Sequence, residues 1–382
     1  MSILIFIIIL STLIIVHELG HFLVAKKFGI RVDEFGLGFP PRAKELFIWR
    51  KTLFTLNWLP FGGFVKIFGE NPATSDEVDS QVSESEEGKV IDNNASTAPD
   101  SFQSKNRAIQ ATVLVAGVFG NFLFAWFLIS LGFLTGLPSP VGIYVPVEDA
   151  QTTITLVLPD SPAGEAGLKS GDVILSLSRG EDVIPESGGE AVSPEEASQF
   201  IAVSSEPIIF EINRGGEVSQ KSVTPEEGII ADQRAVGISM DLVGIAKLPP
   251  HEALWYGLRT TTELTVLTGQ AITSFIGQSF TGKADLSGVT GPVGIVGMVG
   301  DVRELGFAYL LTFTALISIN LAIINLLPFP ALDGGRLFFV LVEAITRKPV
   351  PLKVFNVVNA AGFALLILLM VVITIQDIRN IF

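Results

Sequence analysis

Five consecutive residues, His17-Glu18-Leu19-Gly20-His21, carry the most specific chemical signal in the chain. On a helix His17 and His21 are four positions apart, one above the other on one face, so both imidazoles can reach a single metal ion. Glu18 stands beside them, placed to take a proton from an attacking water rather than to ligate. His-Glu-x-x-His is the spacing of zinc hydrolases, in which a third protein ligand leaves one position open. The motif sits late in an almost unbroken apolar run, Ile3 to Ala25, long enough to cross a bilayer as a helix. Ionisable groups at that depth are expensive, and they mark a functional site by default.

The chain has no cysteine and only three histidines. That excludes disulfides, thiol catalysis and thiolate-bound zinc. A third ligand must then be His251 or a carboxylate. His251 follows Pro249-Pro250 and reads as an interfacial or surface residue on the far side of the membrane. Asp333 lies in the run Asn325-Leu326-Leu327-Pro328-Phe329-Pro330-Ala331-Leu332-Asp333-Gly334-Gly335-Arg336, where prolines break a helix and glycines allow close backbone approach. Two readings of it stand. It caps a helix over Arg336–Ile345, or it joins His17 and His21 as the third ligand of a catalytic Zn2+.

These residues must be positioned by a membrane protein. The 382 residues are 48% hydrophobic yet carry a formal charge of −14, a mixture that a membrane part plus an acidic aqueous part explains. Span-length apolar stretches occur at Ile3–Ala25, Ala108–Leu137, Phe307–Leu327 and Val354–Ile375. The first lacks a positive n-region and is too long for a signal-peptide core, so it reads as a retained helix. Lys26, Lys27, Arg31, Arg42, Lys44, Arg50, Lys51, Lys105 and Arg107 lie between the first two spans; Arg347, Lys348 and Lys353 lie between the last two. The positive-inside rule puts both segments, and the histidine motif, toward the cytoplasm, and the middle segment outside.

Between the spans the pattern changes several times. Leu53–Phe68 reads as a strand, a turn at Pro60-Phe61-Gly62-Gly63 and a second strand. It is either an ordinary apolar hairpin packed on helices or a loop dipping into the interior beside the metal. Residues 70–105 are rich in Ser, Glu, Asp and Asn and read as a disordered acidic linker. In the second span Asn121 wants an interior partner, as a structural group or in contact with substrate or the metal's neighbourhood. Pro138 to about Asp241 reads as a small α+β module, with strands at Thr153–Leu158, Pro207–Asn213 and Val236–Met240, a helix at Pro194–Ile201 and a turn at Arg214-Gly215-Gly216-Glu217. Its Ser161–Leu175 stretch resembles a PDZ domain, which adds extended peptides to a sheet edge or here screens them by size. Pro249–Gly300 is mixed, helical over Glu252–Gln278 and then Gly-rich.

The combination of His-Glu-Leu-Gly-His in the first span, Leu59-Pro60-Phe61-Gly62-Gly63-Phe64-Val65, an inserted PDZ-like module and Asn325 with Leu332-Asp333-Gly334-Gly335 resembles the site-2 protease family, in its regulator-of-sigma-E protease (RseP-like) branch. The resemblance covers the chain apart from the linker. It implies an intramembrane zinc endopeptidase in the bacterial cytoplasmic membrane, with His17, His21 and Asp333 as ligands and Glu18 as general base. It implies that Asn325 and the strand Phe61, Gly62, Gly63, Phe64, Val65 hold substrate, and that substrates are single-span membrane proteins such as anti-sigma factors, or remnant signal peptides. Two departures stand out. One PDZ-like module is present where well-known members carry two, and Val118 occupies a position where the family usually has proline. The expected fold is a polytopic α-helical membrane protein, with four transmembrane helices and a membrane-associated β-hairpin, plus an inserted α+β PDZ-like domain. The expected segments are 1–69 (first span and hairpin), 70–105 (linker), 106–137 (second span), 138–246 (PDZ-like domain), 247–306 (juxtamembrane) and 307–382 (third and fourth spans). The lipid bilayer is a partner and nucleic acid is not. The competing expectation is a non-catalytic PDZ-bearing membrane adaptor.

Overall fold

The computed structural model describes residues 1–70, 98–142, 145–158, 160–185, 191–230, 233–282 and 289–381. Four of its helices are long and apolar enough to cross a membrane: Ser2–Lys27, Arg107–Thr135, Phe307–Leu326 and Lys353–Arg379. They match the four expected spans to within a few residues. The chain forms two compact units, one of Met1–Phe127, Thr260–Gly300 and Thr314–Phe382, the other of Leu128–Arg259 and Asp301–Phe313.

In the first unit, α1 (Ser2–Lys27) contains no proline and only one residue with strong turn preference, Gly20. It leads into β1 (Val32–Trp49) and β2 (Thr52–Ile67), whose register shows four strand segments rather than two. Phe35 lies opposite Val65 on one side and Phe54 on the other; Leu37 likewise lies opposite Gly63 and Leu56. The segment 34–37 is therefore central, with 63–67 at one edge, and 53–56 followed by 44–48 on its other side. This corrects the expected hairpin. The turn joining paired neighbours is at Arg50-Lys51, both with positive φ (49° and 63°), while the strands on either side of Pro60–Gly63 flank 34–37 instead of pairing with each other. Rings of Phe22, Phe35 and Phe54, with centroids 5.3 to 5.7 Å apart, fasten this sheet to α1.

The acidic linker is shorter than expected at its described ends. Phe102 is buried in the same apolar cluster as Phe22 and Phe35, and its N–H donates to the Phe68 carbonyl at 2.8 Å. Glu70 is ion-paired to Arg336. Residues 71–97 lie outside the described residues. Next, α2 (Arg107–Thr135) starts at Asn106, whose side chain accepts the Ile109 N–H at 2.8 Å, an N-cap of the ordinary kind. It crosses α1 very closely: a Cβ at Gly20 would lie 2.2 Å from the Ala116 carbonyl oxygen, so only glycine fits there.

The second unit holds an antiparallel sheet. Its strands are β3 (Leu137–Pro140), β4 (Glu148–Val157), β5 (Val173–Arg179), β6 (Asp182–Ile184), β7 (Ile208–Arg214), β8 (Glu217–Val223) and β11 (Ile238–Ala246), ordered β3-β11-β4-β5-β7-β8 with β6 beside β5. β9 (Glu226–Ile230) and β10 (Gln233–Ala235) pair separately. Helices α3 (Pro162–Glu165) and α4 (Pro194–Ala202) cover a core built on Ile154, Leu177, Ile208, Phe210 and Ile212. Ser193 and Glu196 form a capping box on α4. The fully buried Asp172 accepts from Arg214 Nε at 2.6 Å and Nη2 at 2.7 Å and from the Lys169 N–H at 2.8 Å.

Beyond it run α5 (Pro250–Phe280), α6 (Pro292–Leu305), α7 (Phe307–Leu326), α8 (Asp333–Thr346) and α9 (Leu352–Ile381). α6 was not expected from its glycines; Asp377 of α9 caps its start, accepting the Gly291 and Gly294 N–H groups at 3.1 and 2.9 Å. His251 is exposed, as expected, and faces Glu252 at 3.7 Å.

Candidate metal centre

α1 is a continuous helix through the motif, so His17 and His21 project from one face a single turn apart. Both are buried. Their Nε2 atoms lie 3.1 Å apart, and each faces Asp333 Oδ2, at 2.8 Å from His17 and 3.2 Å from His21. Asp333 reaches them because the chain breaks after α7 and re-enters at α8 through tightly folded backbone. A Cβ at Gly334 would lie 2.1 Å from the Leu327 carbonyl oxygen. The capping position of α8 is Leu332, with no side-chain cap bond, so Asp333 spends its carboxylate on the histidines rather than on its own helix.

Three Lewis-basic atoms, two imidazole and one carboxylate, thus converge on one point. Two ring nitrogens this close repel through their lone pairs unless a proton or a cation lies between them. The donor set of two histidines and one carboxylate is that of a catalytic zinc. Room for an ion is preserved on the α2 side. A Cβ at Gly117 would lie 2.4 Å from His21 Nε2 and 2.7 Å from His17 Nε2. The residues fit a divalent cation.

α2 supplies the outer contacts of both rings from one stripe, residues 113, 117 and 121, spaced four apart. The Val113 carbonyl accepts from His21 Nδ1 at 2.8 Å. Asn121, fully buried, has its amide 3.3 Å from His17 Nδ1, beside the histidines. The Ser318 hydroxyl of α7 donates to the Asn121 carbonyl at 2.8 Å, tying a third helix to this point.

Glu18 lies beside this cluster, half-buried, and the Val65 N–H donates to its carboxylate. Val65 belongs to the edge segment 63–67, and alternation along a strand turns the main-chain groups of 63 and 67 toward the same outer side. The expected strand residues Gly62, Gly63, Phe64 and Val65 therefore lie next to the motif. A Cβ at Gly62 would touch Ile14 of α1 at 3.1 Å. The Phe61 side chain lies outside the described residues. Asn325 lies in the last turn of α7, half-buried, without a hydrogen bond to His17, His21 or Asp333 among the described residues.

Sequence reasoning missed a second charged layer. Glu70 and Arg336 form an ion pair, and Arg107 pairs with Glu343 at 2.8 Å. The four line a cavity of about 320 Å³ together with Gln110 and Phe355. Burial pushes the Glu70 carboxyl above the usual carboxylate range, against the pull of the Arg336 guanidinium. Arg336 follows directly on the Asp333 run, which was the available signal.

Comparison with known proteins agrees with this geometry. The profile of Peptidase family M50 matches residues 5–369. A Clostridium perfringens protein bearing the name zinc metalloprotease is 34% identical over 96% of each chain. Zinc metalloprotease RasP of Geobacillus kaustophilus is 31% identical over 100% of this chain and 98% of its own. The regulator of sigma-W protease RasP of Bacillus subtilis is 31% identical over 99% and 98%. With the match taking in two span-length helices whole, most of the other two and every residue of the converging cluster, the chain belongs to peptidase family M50.

Proposed function

We propose that the chain is an intramembrane zinc endopeptidase that cuts single-span membrane proteins within or near their transmembrane segment. The observation that carries this reading is the convergence of His17, His21 and Asp333 beside Glu18, on helices that include a span-length one. His17, His21 and Asp333 hold Zn2+, a metal also named for two of the relatives. Zinc, when bound, supplies the Lewis acidity that makes water nucleophilic near neutral pH.

The chain's own groups do the rest. Glu18 takes the proton of the attacking water and returns it to the leaving amine; the Val65 N–H keeps its carboxylate aimed. Asn325 donates to the developing oxyanion. A transmembrane helix hides its amides in i→i−4 bonds, so the substrate unwinds before cleavage. The edge segment 63–67 offers the freed backbone a strand partner. Basic residues between the first two and the last two spans place the centre toward the cytoplasm. Residues 138–246 then lie outside as a PDZ-like module that binds or screens a substrate chain end. Anti-sigma-factor-like proteins and remnant signal peptides are the substrate classes, in keeping with a relative named for regulation of sigma-W.

The test is cleavage of a single-span reporter by purified protein in detergent, for wild type and Glu18→Gln at matched zinc content. Loss of a general base costs roughly 10²–10⁴-fold, so the variant should retain zinc and lose cleavage. Wild-type turnover by Glu18→Gln would end the assignment of Glu18, and absence of zinc from both proteins would end the ligand assignment.

A further inference from the structure

The two histidines of the cluster are oriented by unlike partners. His21 Nδ1 lies 2.8 Å from a main-chain carbonyl, that of Val113, which can only accept. This bond fixes the proton on Nδ1 and leaves the Nε2 lone pair free for a metal. Among the described residues His17 has no such carbonyl. Its Nδ1 faces the Asn121 side chain at 3.3 Å, inside a site where Asn121 is fully buried. An amide can meet a ring nitrogen with either end. With the Asn121 nitrogen toward His17, the ring must accept at Nδ1 and carry its proton on Nε2, where the Asp333 oxygen lies 2.8 Å away. That tautomer cannot ligate through Nε2. The same orientation leaves Asn121 Oδ1 buried without a hydrogen-bond partner among the described residues, a costly state for a carbonyl. A half-turn of the amide about Cβ–Cγ brings Oδ1 to Nδ1–H, and His17 becomes the equal of His21.

We propose that Asn121 is the positioning residue of His17: its side-chain oxygen accepts the His17 Nδ1–H and thereby holds the ring in the tautomer that binds metal through Nε2. This rests on the reading of His17, His21 and Asp333 as the metal ligands. The place of Asn121 is secured independently of the metal, since Ser318 holds its main-chain carbonyl at 2.8 Å and the neighbouring Gly120 packs on α1, a Cβ there lying 3.0 Å from the Val16 carbonyl oxygen. The amide is therefore free to turn while its Cα is not free to move.

The experiment compares wild type, Asn121→Leu and Asn121→Asp in detergent. Leu keeps the forked shape and has no acceptor; Asp keeps the acceptor. Zinc affinity is measured by competition with a chromophoric chelator, and the ring-nitrogen shifts of ¹⁵N-histidine protein report the tautomers, only three histidines being present. Removal of an outer partner of a ligating histidine lowers metal affinity about 10–100-fold. Asn121→Leu should show that loss together with disappearance of the His17 Nδ1–H signature, and Asn121→Asp should stay within about threefold of wild type. Wild-type zinc affinity in a folded Asn121→Leu protein would overturn the proposal while leaving the ligand set standing. Equal weakening in both variants would also overturn it, because packing rather than the acceptor would then matter. Failure of wild type to bind zinc would remove the ligand reading and this inference with it.

Discussion

Gly117→Ala is the smallest change that reaches the centre without altering any group proposed to hold the metal. The added methyl would stand 2.4 Å from His21 Nε2, 2.7 Å from His17 Nε2 and 2.8 Å from His17 Cε1, where ordinary contact begins near 3.4 Å. The His21 ring must therefore retreat by about 1 Å and the His17 ring by somewhat less. Zinc tolerates ligand distances only within about 0.2 Å of ideal. The required displacement is several times that tolerance, and it acts on two ligands at once. Neither ring can follow freely, because Val113 and Asn121 hold their outer nitrogens. We expect zinc affinity to fall at least ~100-fold, beyond the usual cost of losing one outer partner, and reporter cleavage to fall with it. Helix propensity acts in the opposite sense, since Gly→Ala inside a helix gains ~1 kcal/mol, so loss of zinc cannot be blamed on a weaker α2. Gly269→Ala serves as control, a Cβ there meeting nothing within 4 Å among the described residues. The assay is chelator competition on both purified variants, with melting temperature recorded alongside. A folded Gly117→Ala protein with wild-type zinc affinity would refute the reasoning.

Arg336→Met leaves Glu70 in its mostly buried setting without its guanidinium; breaking such a pair from one side costs ~3 kcal/mol. Glu70→Gln combined with Arg336→Met should recover part of that loss. Thermal unfolding in detergent reads both, and equal melting temperatures for the single and double variants would contradict the pairing. In the second unit, Asp172→Ala removes the acceptor of three hydrogen bonds from a fully buried position, a loss of ~3 kcal/mol. That corresponds to a drop of roughly 6–12 °C in the unfolding of a unit of this size, followed by temperature-dependent proteolysis of the full-length protein. Zinc content should be unchanged; loss of zinc would show that the module supports the centre.

How far the sequence reveals this arrangement depends on which part of a residue acts. His17, His21 and Asp333 would act through side chains of types that are rare in apolar surroundings, so the spacing of the histidines marked the first two and the shortage of a third histidine pointed to a carboxylate. The four span-length helices were legible because a chain rarely keeps so long an apolar run unbroken except to cross a bilayer. Val113 and Val65 act through main-chain groups that every residue possesses, and nothing in their identity marks them. The turn at Arg50-Lys51 was hidden because neither residue favours positive φ; the fold holds it with Lys26 donating to the Arg50 carbonyl at 3.0 Å and Arg50 stacked 4.9 Å over Trp49. The Gly-Gly of Pro60–Gly63 drew the hairpin to the wrong place, since glycine there serves close approach to Ile14 rather than reversal onto a neighbour. α6 was obscured by Gly294, Gly297 and Gly300, which lower helix propensity. It is anchored by an aspartate 86 positions from Gly291, a distance over which local patterns carry no information.

The stripe formed by Val113, Gly117 and Asn121 has a consequence for how this stretch can change over generations. Its three contributions are a carbonyl, an empty space and an amide, and they depend on a fixed count of residues more than on three identities. One inserted or deleted residue would rotate the downstream part of the stripe by about 100°: between 113 and 117 it displaces both the Gly117 position and the Asn121 amide, and between 117 and 121 the amide alone. Substitutions are filtered one position at a time, but length is filtered for the whole nine-residue block at once. A replacement of the block that keeps its length keeps the register of carbonyl, space and amide, and one that changes the length between 113 and 121 loses it.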